Sequence, residues 1–223
     1  AQAAYKNPDL RFVLHGPKDQ LEALVKKRKI SDITKIVNAD GVVAMEDKPS
    51  HVMRHGKGTS MWSSIESVRS GEADVAVSCD NTGALIAVSM VSLRKLPGVN
   101  RPAIAIMWPA RSKGGFNVML DVGADIRADA KDLMQYALMG SAYARNGLDI
   151  ARPKVGVLNV GTEEHKGRSE LLEAVRLIEG QAETANFESV GFVEGGQIPS
   201  GDVDVIVTDG FTGNVALKTG EGT

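Results

Sequence analysis

Apolar residues follow two rhythms along this chain. Short runs rich in Val and Ile, with little alternation, fall at residues 11–15, 34–38, 75–79, 103–108, 118–121, 154–159, 191–194 and 204–208. Runs of that kind predict strands buried on both faces. Between them, apolar positions recur at helical spacing over residues 18–29, 59–70, 83–95, 130–146 and 169–183. The segment LLEAVRLIE (171–179) shows the helical stripe most cleanly. Asp129 stands where it would cap the fourth helix, and Gly147 where it would end it. Alternating strands and helices predict an α/β fold of three layers, with a mostly parallel sheet covered on both faces. Two stretches, 41–54 and 110–117, resist the pattern and read as loops long enough to be functional flaps. No low-complexity linker interrupts the chain, which reads as a single domain over residues 1–223.

Both ends depart from the rhythm. AQAAYKNPDL reads as the end of a helix, a turn at Asn7, Pro8 and Asp9, and the start of a strand. At the other end a strand runs into VTDGFTGNVALKTGEGT, where a new helix begins shortly before the sequence stops. The expectation is an internal fragment of a longer protein.

Composition narrows the class. With 223 residues, 43% hydrophobic and 24% charged, the chain has an ordinary globular profile and enough material for a sizeable core. A formal charge of -2 argues against a dedicated nucleic-acid binder. The single cysteine, Cys79, excludes an internal disulfide framework and a multi-cysteine metal site, and fits a reducing cytoplasm. No apolar run approaches the ~18 residues of a membrane-spanning helix.

In parallel α/β folds, ligands bind at the carboxyl ends of the strands. The residues that follow the strands are therefore the candidates: DNTGAL after 75–79, DVGAD after 118–120, NVGTEEHKGR after 155–158 and TDGFTGNV after 205–207. Two of them share a Thr-Gly step into a helix, Thr82-Gly83 and Thr212-Gly213. Glycine allows close backbone approach, and a helix start offers free N–H groups at a positive dipole end. Phosphate is the natural ligand of such places. Any one of these loops is more simply a turn and a cap, but several on one sheet edge would converge. At HGKGTSMWSSI (55–65), Lys57 and the preceding Arg54 bring positive charge to a helix start, which costs helix stability and asks for an anionic partner.

Other chemistries lack their motifs. Lys166 precedes Gly167 without the Gly-Lys-Ser/Thr order of a phosphate-binding loop of the Walker type, and no G-x-G-x-x-G opens a helix. There is no G-x-S-x-G elbow and no H-E-x-x-H. Asp121 and Asp125 read as turn-forming carboxylates rather than metal ligands. His15, His51 and His55 have no partner spacing and read as surface or cap residues. His165 is a candidate acid or anion ligand. No metal and no cofactor is expected.

Taken together and in order, GKGTSM, NTGAL followed by RPA, LDVGAD, LNVGTEEHKG and DGFTGNV followed by LKTGEG resemble the PlsX-type phosphate acyltransferases of bacterial phospholipid synthesis. The resemblance covers essentially the whole chain, and DGFTGNV with LKTGEG is its most distinctive part. It implies transfer of a long-chain acyl group from acyl carrier protein to inorganic phosphate. It also implies a fold like that of isocitrate and isopropylmalate dehydrogenases and of phosphotransacetylase, and a homodimer in the cytoplasm, peripherally attached to the inner membrane face. The family's opening Asp-Ala-Met-Gly-Gly-Asp type loop and a C-terminal section are absent here. Where the family has Ala-Gly before Asn-Thr-Gly, this chain has Cys79-Asp80, and an acidic residue there would repel phosphate.

Phosphate attacking a thioester needs no protein nucleophile. It must be bound, aimed and matched by groups that stabilise the developing oxyanion. The expected phosphate and substrate contacts are Lys57, Ser60, Asn81, Thr82, Gly83, Asp121, Asn159, Gly210, Thr212 and Gly213. Lys57 or Lys166 is the expected cation, and Asn214 or Lys166 the expected oxyanion stabiliser, with Asp209 orienting Lys166 or Thr212. The acidic carrier protein would meet a basic surface, with Arg94, Lys95 and Arg101, or Arg111 and Lys113, as candidates.

Overall fold

The computed structural model describes residues 2–79, 81–163 and 166–222. They gather into two compact units, Ala1–Leu96 and Pro97–Thr223.

The first unit opens with α1 (Gln2–Lys6), then β1 (Phe12–Gly16), α2 (Lys18–Lys27) and β2 (Thr34–Asn38). β1 and β2 pair in parallel, Phe12 opposite Thr34 and Gly16 opposite Asn38. Three helices follow: α3 (Pro49–His55), α4 (Ser60–Arg69) and α5 (Thr82–Ser92). α3 starts with Pro49 at a position where its missing N–H costs nothing. The stretch 41–54, read from sequence as a loop, therefore holds most of a helix. Val43, Val52, Met61, Ile65, Ala84 and Val88 close the core of this unit.

One strand expected here does not form. Residues 75–79 have no strand pairing, and Val75 and Val77 stand 73% and 83% exposed. An apolar run becomes a strand only when a neighbouring edge accepts its backbone, and among the described residues the sheet of this unit joins β1 and β2 without this run.

The second unit contains β3 (Ala105–Pro109), β4 (Phe116–Leu120), α6 (Ala130–Leu148), β5 (Lys154–Leu158), α7 (Ser169–Gln181), β6 (Glu188–Val193), β7 (Val205–Val207) and α8 (Gly210–Glu221). Its sheet runs β3-β4-β7-β5-β6, and only β3 is antiparallel. Residues 110–115 are thus the turn of a β3–β4 hairpin. Alternate residues sort the core into two layers. Val118, Leu120, Val155, Val157, Val205 and Val207 pack with Leu133, Tyr136 and Ala137 of α6 and Leu171 and Val175 of α7. Met119, Leu158, Val193 and Ile206 face the other way, toward Trp108 of β3 and Ala216 and Leu217 of α8. Helices on both faces of a largely parallel sheet make this unit three-layered.

Local signals set several ends. Asp129 caps α6 as expected, accepting from the N–H groups of Lys131 and Asp132, while Asp132 returns a bond to the Asp129 N–H. Gly147 does not end α6. The helix continues to Leu148 and closes at Asp149, which takes the left-handed conformation at φ 56°, one that Asp tolerates better than most residues. β6 begins earlier than the sequence suggested, because Gly191 at φ 70° sits inside the strand, where the register with β5 shifts.

Candidate functional site at the strand ends

β4, β5 and β7 are parallel neighbours, with Leu120 opposite Val207 and Val157 opposite Val207. Their carboxyl ends therefore bring Asp121, Asn159 and Thr208 to one edge. The loop of residues 121–125 and the start of α8 interlock there. Both oxygens of the buried Asp121 carboxylate accept backbone N–H groups: Oδ1 from Ile104, Gly123 and Ala124, and Oδ2 from Ala124 and Asp125, at 2.6–3.1 Å. Asp121 thus shapes its own loop, and its oxygens have no capacity left for a ligand.

α8 is clamped onto that loop. The Gly210 N–H donates to the Asp125 carbonyl at 2.8 Å. A Cβ on Gly213 would lie 1.9 Å from the Asp121 carbonyl oxygen, and one on Gly210 would lie 2.7 Å from Asp121 Oδ2. Both glycines are therefore required by the approach of helix to loop. Asn214 Nδ2 donates to the Val122 carbonyl at 3.1 Å, which ties the first turn of α8 to the same loop.

Asp209 caps α8. Its Oδ1 accepts from the Thr212 N–H at 2.8 Å, and its Oδ2 from Arg168 Nη2 at 2.5 Å. Burial works against its charge, but the Thr212 N–H, the Arg168 guanidinium and the Thr212 side chain outweigh that and hold the carboxyl below its usual range. Arg168 remains 61% exposed while bonded to Asp209, so part of its guanidinium fork faces solvent beside the helix start. No sequence signal singled it out. It lies two residues beyond Lys166, in the run NVGTEEHKGR, from which the sequence pointed to Asn159, His165 and Lys166.

The Lys166 ammonium pairs with Glu163 Oε1 at 2.8 Å on an exposed loop, and this pairing raises its pKa. Its carbonyl accepts from Asn159 Nδ2 at 3.0 Å, as does that of Gly161. Asn159 is buried, and its Oδ1 has no partner among the described residues. Asp80 and His165 lie outside the described residues.

The first unit places its own candidates at two helix starts. Asn81 caps α5, accepting from the Ala84 N–H at 3.0 Å, while its Nδ2 donates to the carbonyls of Ala44, Met45 and Asp47. The Asn81 side chain is thereby spent on holding the loop before α3. Thr82 opens α5 and is exposed, and a Cβ on Gly83 would sit 3.1 Å from Pro49 Cγ. Ser60 opens α4 behind the cap Thr59, its N–H donating to the Gly41 carbonyl at 2.9 Å, and Lys57 is exposed nearby.

His15 is not the surface or cap residue expected from sequence. It is half-buried, with Nδ1 2.8 Å from Ser63 Oγ and Nε2 3.4 Å from Ser67 Oγ, and the Ser67 hydroxyl donates to Glu72. Burial lowers its pKa, against the pull of Glu72. Of the basic candidates, Arg101 pairs with the buried Asp125 at 2.9 Å, while Arg111 and Lys113 are exposed on the β3–β4 turn.

Comparison with known proteins gives this edge its context. The phosphotransacetylase of Streptococcus pyogenes superposes with a TM-score of 0.69 at 18% identity, covering 99% of this chain and 76% of its own. The EutD phosphotransacetylase of Staphylococcus aureus gives 0.65 at 20%, covering 94% and 73%. At those identities the fold alone is shared. Sequence relatives are far nearer. The phosphate acyltransferases of Jannaschia sp. (strain CCS1) and Ruegeria sp. (strain TM1040) are 68% and 69% identical over 224 aligned residues, which take in 100% of this chain. The chain spans about three fifths of the length of these curated relatives, 61% and 60%. The model of the fatty acid synthesis protein family matches residues 1–223, end to end. With that match and relatives at two-thirds identity throughout, the chain belongs to the fatty acid synthesis protein family.

Proposed function

We propose that the protein carrying this chain transfers a long-chain acyl group from acyl carrier protein to inorganic phosphate, releasing acyl-phosphate for phospholipid synthesis. The observation that carries the reading is the overall identity of about two thirds, over the full length of the chain, to proteins named phosphate acyltransferase. In the reaction a phosphate oxygen forms a bond to the thioester carbonyl carbon. The carbon–sulfur bond breaks, and the carrier's thiolate leaves and takes up a proton. Phosphate is already an anionic nucleophile, so the protein's task is to bind, aim and stabilise.

Arg168 and the first turn of α8 offer positive charge and N–H dipoles at one place. Asp209 fixes both, as cap of the helix and partner of the arginine. Thr212 and the edge around Asn159 complete the phosphate contacts on this unit. Asn214 and Lys166 are kept as oxyanion stabilisers: their present bonds, to the Val122 carbonyl and to Glu163, are ones a substrate carbonyl would have to displace. On the first unit, Lys57, Ser60, Thr82 and Gly83 are the corresponding contacts, with Asn81 acting by holding its loop. Homodimerisation, peripheral attachment to the inner face of the bacterial membrane and docking of the acidic carrier on Arg111 and Lys113 belong to the same reading.

The test follows free carrier protein released from palmitoyl-acyl carrier protein, with and without phosphate, and traps acyl-phosphate with hydroxylamine. Phosphate-dependent release with hydroxamate formation is expected. Turnover of short-chain acyl-coenzyme A alone would move the assignment to a phosphotransacylase, and silence with both donors would leave a non-catalytic binding protein. Alanine at Arg168 or Asn214 is expected to cut turnover by about 10²-fold, the scale of one lost oxyanion donor. Near-normal turnover in a folded variant would remove that residue from the mechanism.

A further inference from the structure

A groove of about 790 Å³ lies in the second unit between the edge strand β3 and the C-terminal half of α8. Ile106, Trp108, Pro109, Ile198, Ala216 and Leu217 line it. Its walls are mostly apolar, with Thr219 among the lining residues and Glu221, paired to Lys218 at 2.7 Å, at the far end. Small side chains keep it open along the helix: Ala216 stands at one end, and a Cβ on Gly220 would lie 2.7 Å from the Trp108 ring. The volume falls in the ~300–1,000 Å³ range of small-molecule sites.

The groove lies along the same helix whose first turn carries Thr212 and Asn214. Ala216, its first helical residue, comes two positions after Asn214, at the reactive end of the same helix. From Thr212 to Gly220 the helix advances about 12 Å, at ~1.5 Å per residue. A ligand with its polar head at the α8 start therefore meets an apolar trough running away from the strand ends, toward Pro109 and Glu221. We infer that this groove holds the hydrocarbon tail of the acyl donor, with the thioester carbonyl at the first turn of α8. The inference rests on the acyl-transfer reading above and adds to it the place where chain length is sensed. Each methylene laid in such a groove is worth about fourfold in binding, so the trough would favour long chains over short ones by a steep ladder.

The experiment has two arms, both on the intact protein. Trp108 is one of only two tryptophans in this chain, the other being Trp62. In a background where Trp62 and any tryptophan outside this chain are replaced by Phe, a brominated long-chain fatty acid should quench Trp108 emission, whereas a brominated short-chain acid at equal concentration should not. In the second arm, Ala216→Phe narrows the trough. It should raise KM for a palmitoyl donor at least ~10-fold more than KM for a butyryl donor, flattening the chain-length ladder. Trp108→Ala, which opens the trough, should shift the preference toward longer or branched donors. Retained turnover with no quenching and an unchanged ladder in Ala216→Phe would overturn the inference and leave the activity standing. That would mean another part of the protein covers the groove. Quenching without turnover on any donor would support the groove and sink the transfer reading instead.

Discussion

Thr82-Gly83 and Thr212-Gly213 read alike in sequence, and each opens a helix, yet the two helix starts are built for different loads. At α5 the cap is a neutral amide, Asn81, whose side chain also gathers three carbonyls of one loop. A Cβ on Gly83 there would meet the ring of Pro49 at 3.1 Å and Asn81 Oδ1 at 3.5 Å, side chains rather than backbone. At α8 the cap is a carboxylate, Asp209, tied to an arginine, and Gly213 is pressed against the Asp121 carbonyl, where a Cβ would come within 1.9 Å. The first ties its helix to one loop through neutral groups alone, leaving Thr82 exposed. The second concentrates charge, dipoles and close backbone contact beside a partly solvent-facing guanidinium, which is what an anion site requires. The difference teaches that a Thr-Gly step marks a tight helix entry, while the cap and its partners decide what that entry can bind.

Substitutions at the two starts should separate them. The largest effect is expected from Gly213→Ala. No rotamer relieves a Cβ against a backbone oxygen, so loop 121–125 or α8 must move, at a cost of about 3 kcal/mol or more. A urea titration showing less than ~1 kcal/mol would mean that the interlock is loose. Next comes Asn81→Ala, which loses a cap and leaves loop carbonyls short of a donor, together about 2 kcal/mol. The loss should appear in the first unit's melting and be absent from hydrogen exchange in α8. Asp209→Asn keeps the shape of the cap but removes the charge facing Arg168, for about 1 kcal/mol at neutral pH.

Asp209 also predicts a pH signature. Its folded pKa lies below the unfolded value, so its stabilisation is present above the ordinary Asp range near ~4 and is lost as pH falls through the folded pKa. The gap in stability between the parent protein and Asp209→Asn should therefore close in acid. A constant gap from pH 7 downward would show that the carboxylate contributes shape alone. The smallest effect belongs to Gly83→Ala, within about 0.5 kcal/mol of the parent, since the Pro49 ring yields and alanine favours a helix interior. A loss matching that of Gly213→Ala would erase the contrast between the two starts.

Much of the frame was legible from local pattern. The predicted limits of β2 match the observed Thr34–Asn38, and α6 begins where Asp129 said it would. These signals are carried by residues close in sequence: an apolar run, a capping side chain, a helical stripe. Misses arose where a distant partner decides. Residues 75–79 have a strand's composition but pair with no strand, and His15 lies between serines 48 and 52 positions away. Arg168 could not be distinguished from its basic neighbours until Asp209, 41 residues on, was seen to hold it.

The sequence by itself therefore determined the α/β class, most element positions and the family, because periodicity, caps and motif order are local or cumulative properties of the chain. Only the tertiary structure decided which polar residues have bonding capacity left. Asp121 spends its carboxylate on five N–H bonds and Asn81 its amide on three carbonyls, whereas Arg168 keeps part of its fork turned outward. A hydrogen-bonding group can be claimed by any partner that the fold brings within about 3 Å, and which partner arrives is fixed by contacts that no local pattern records.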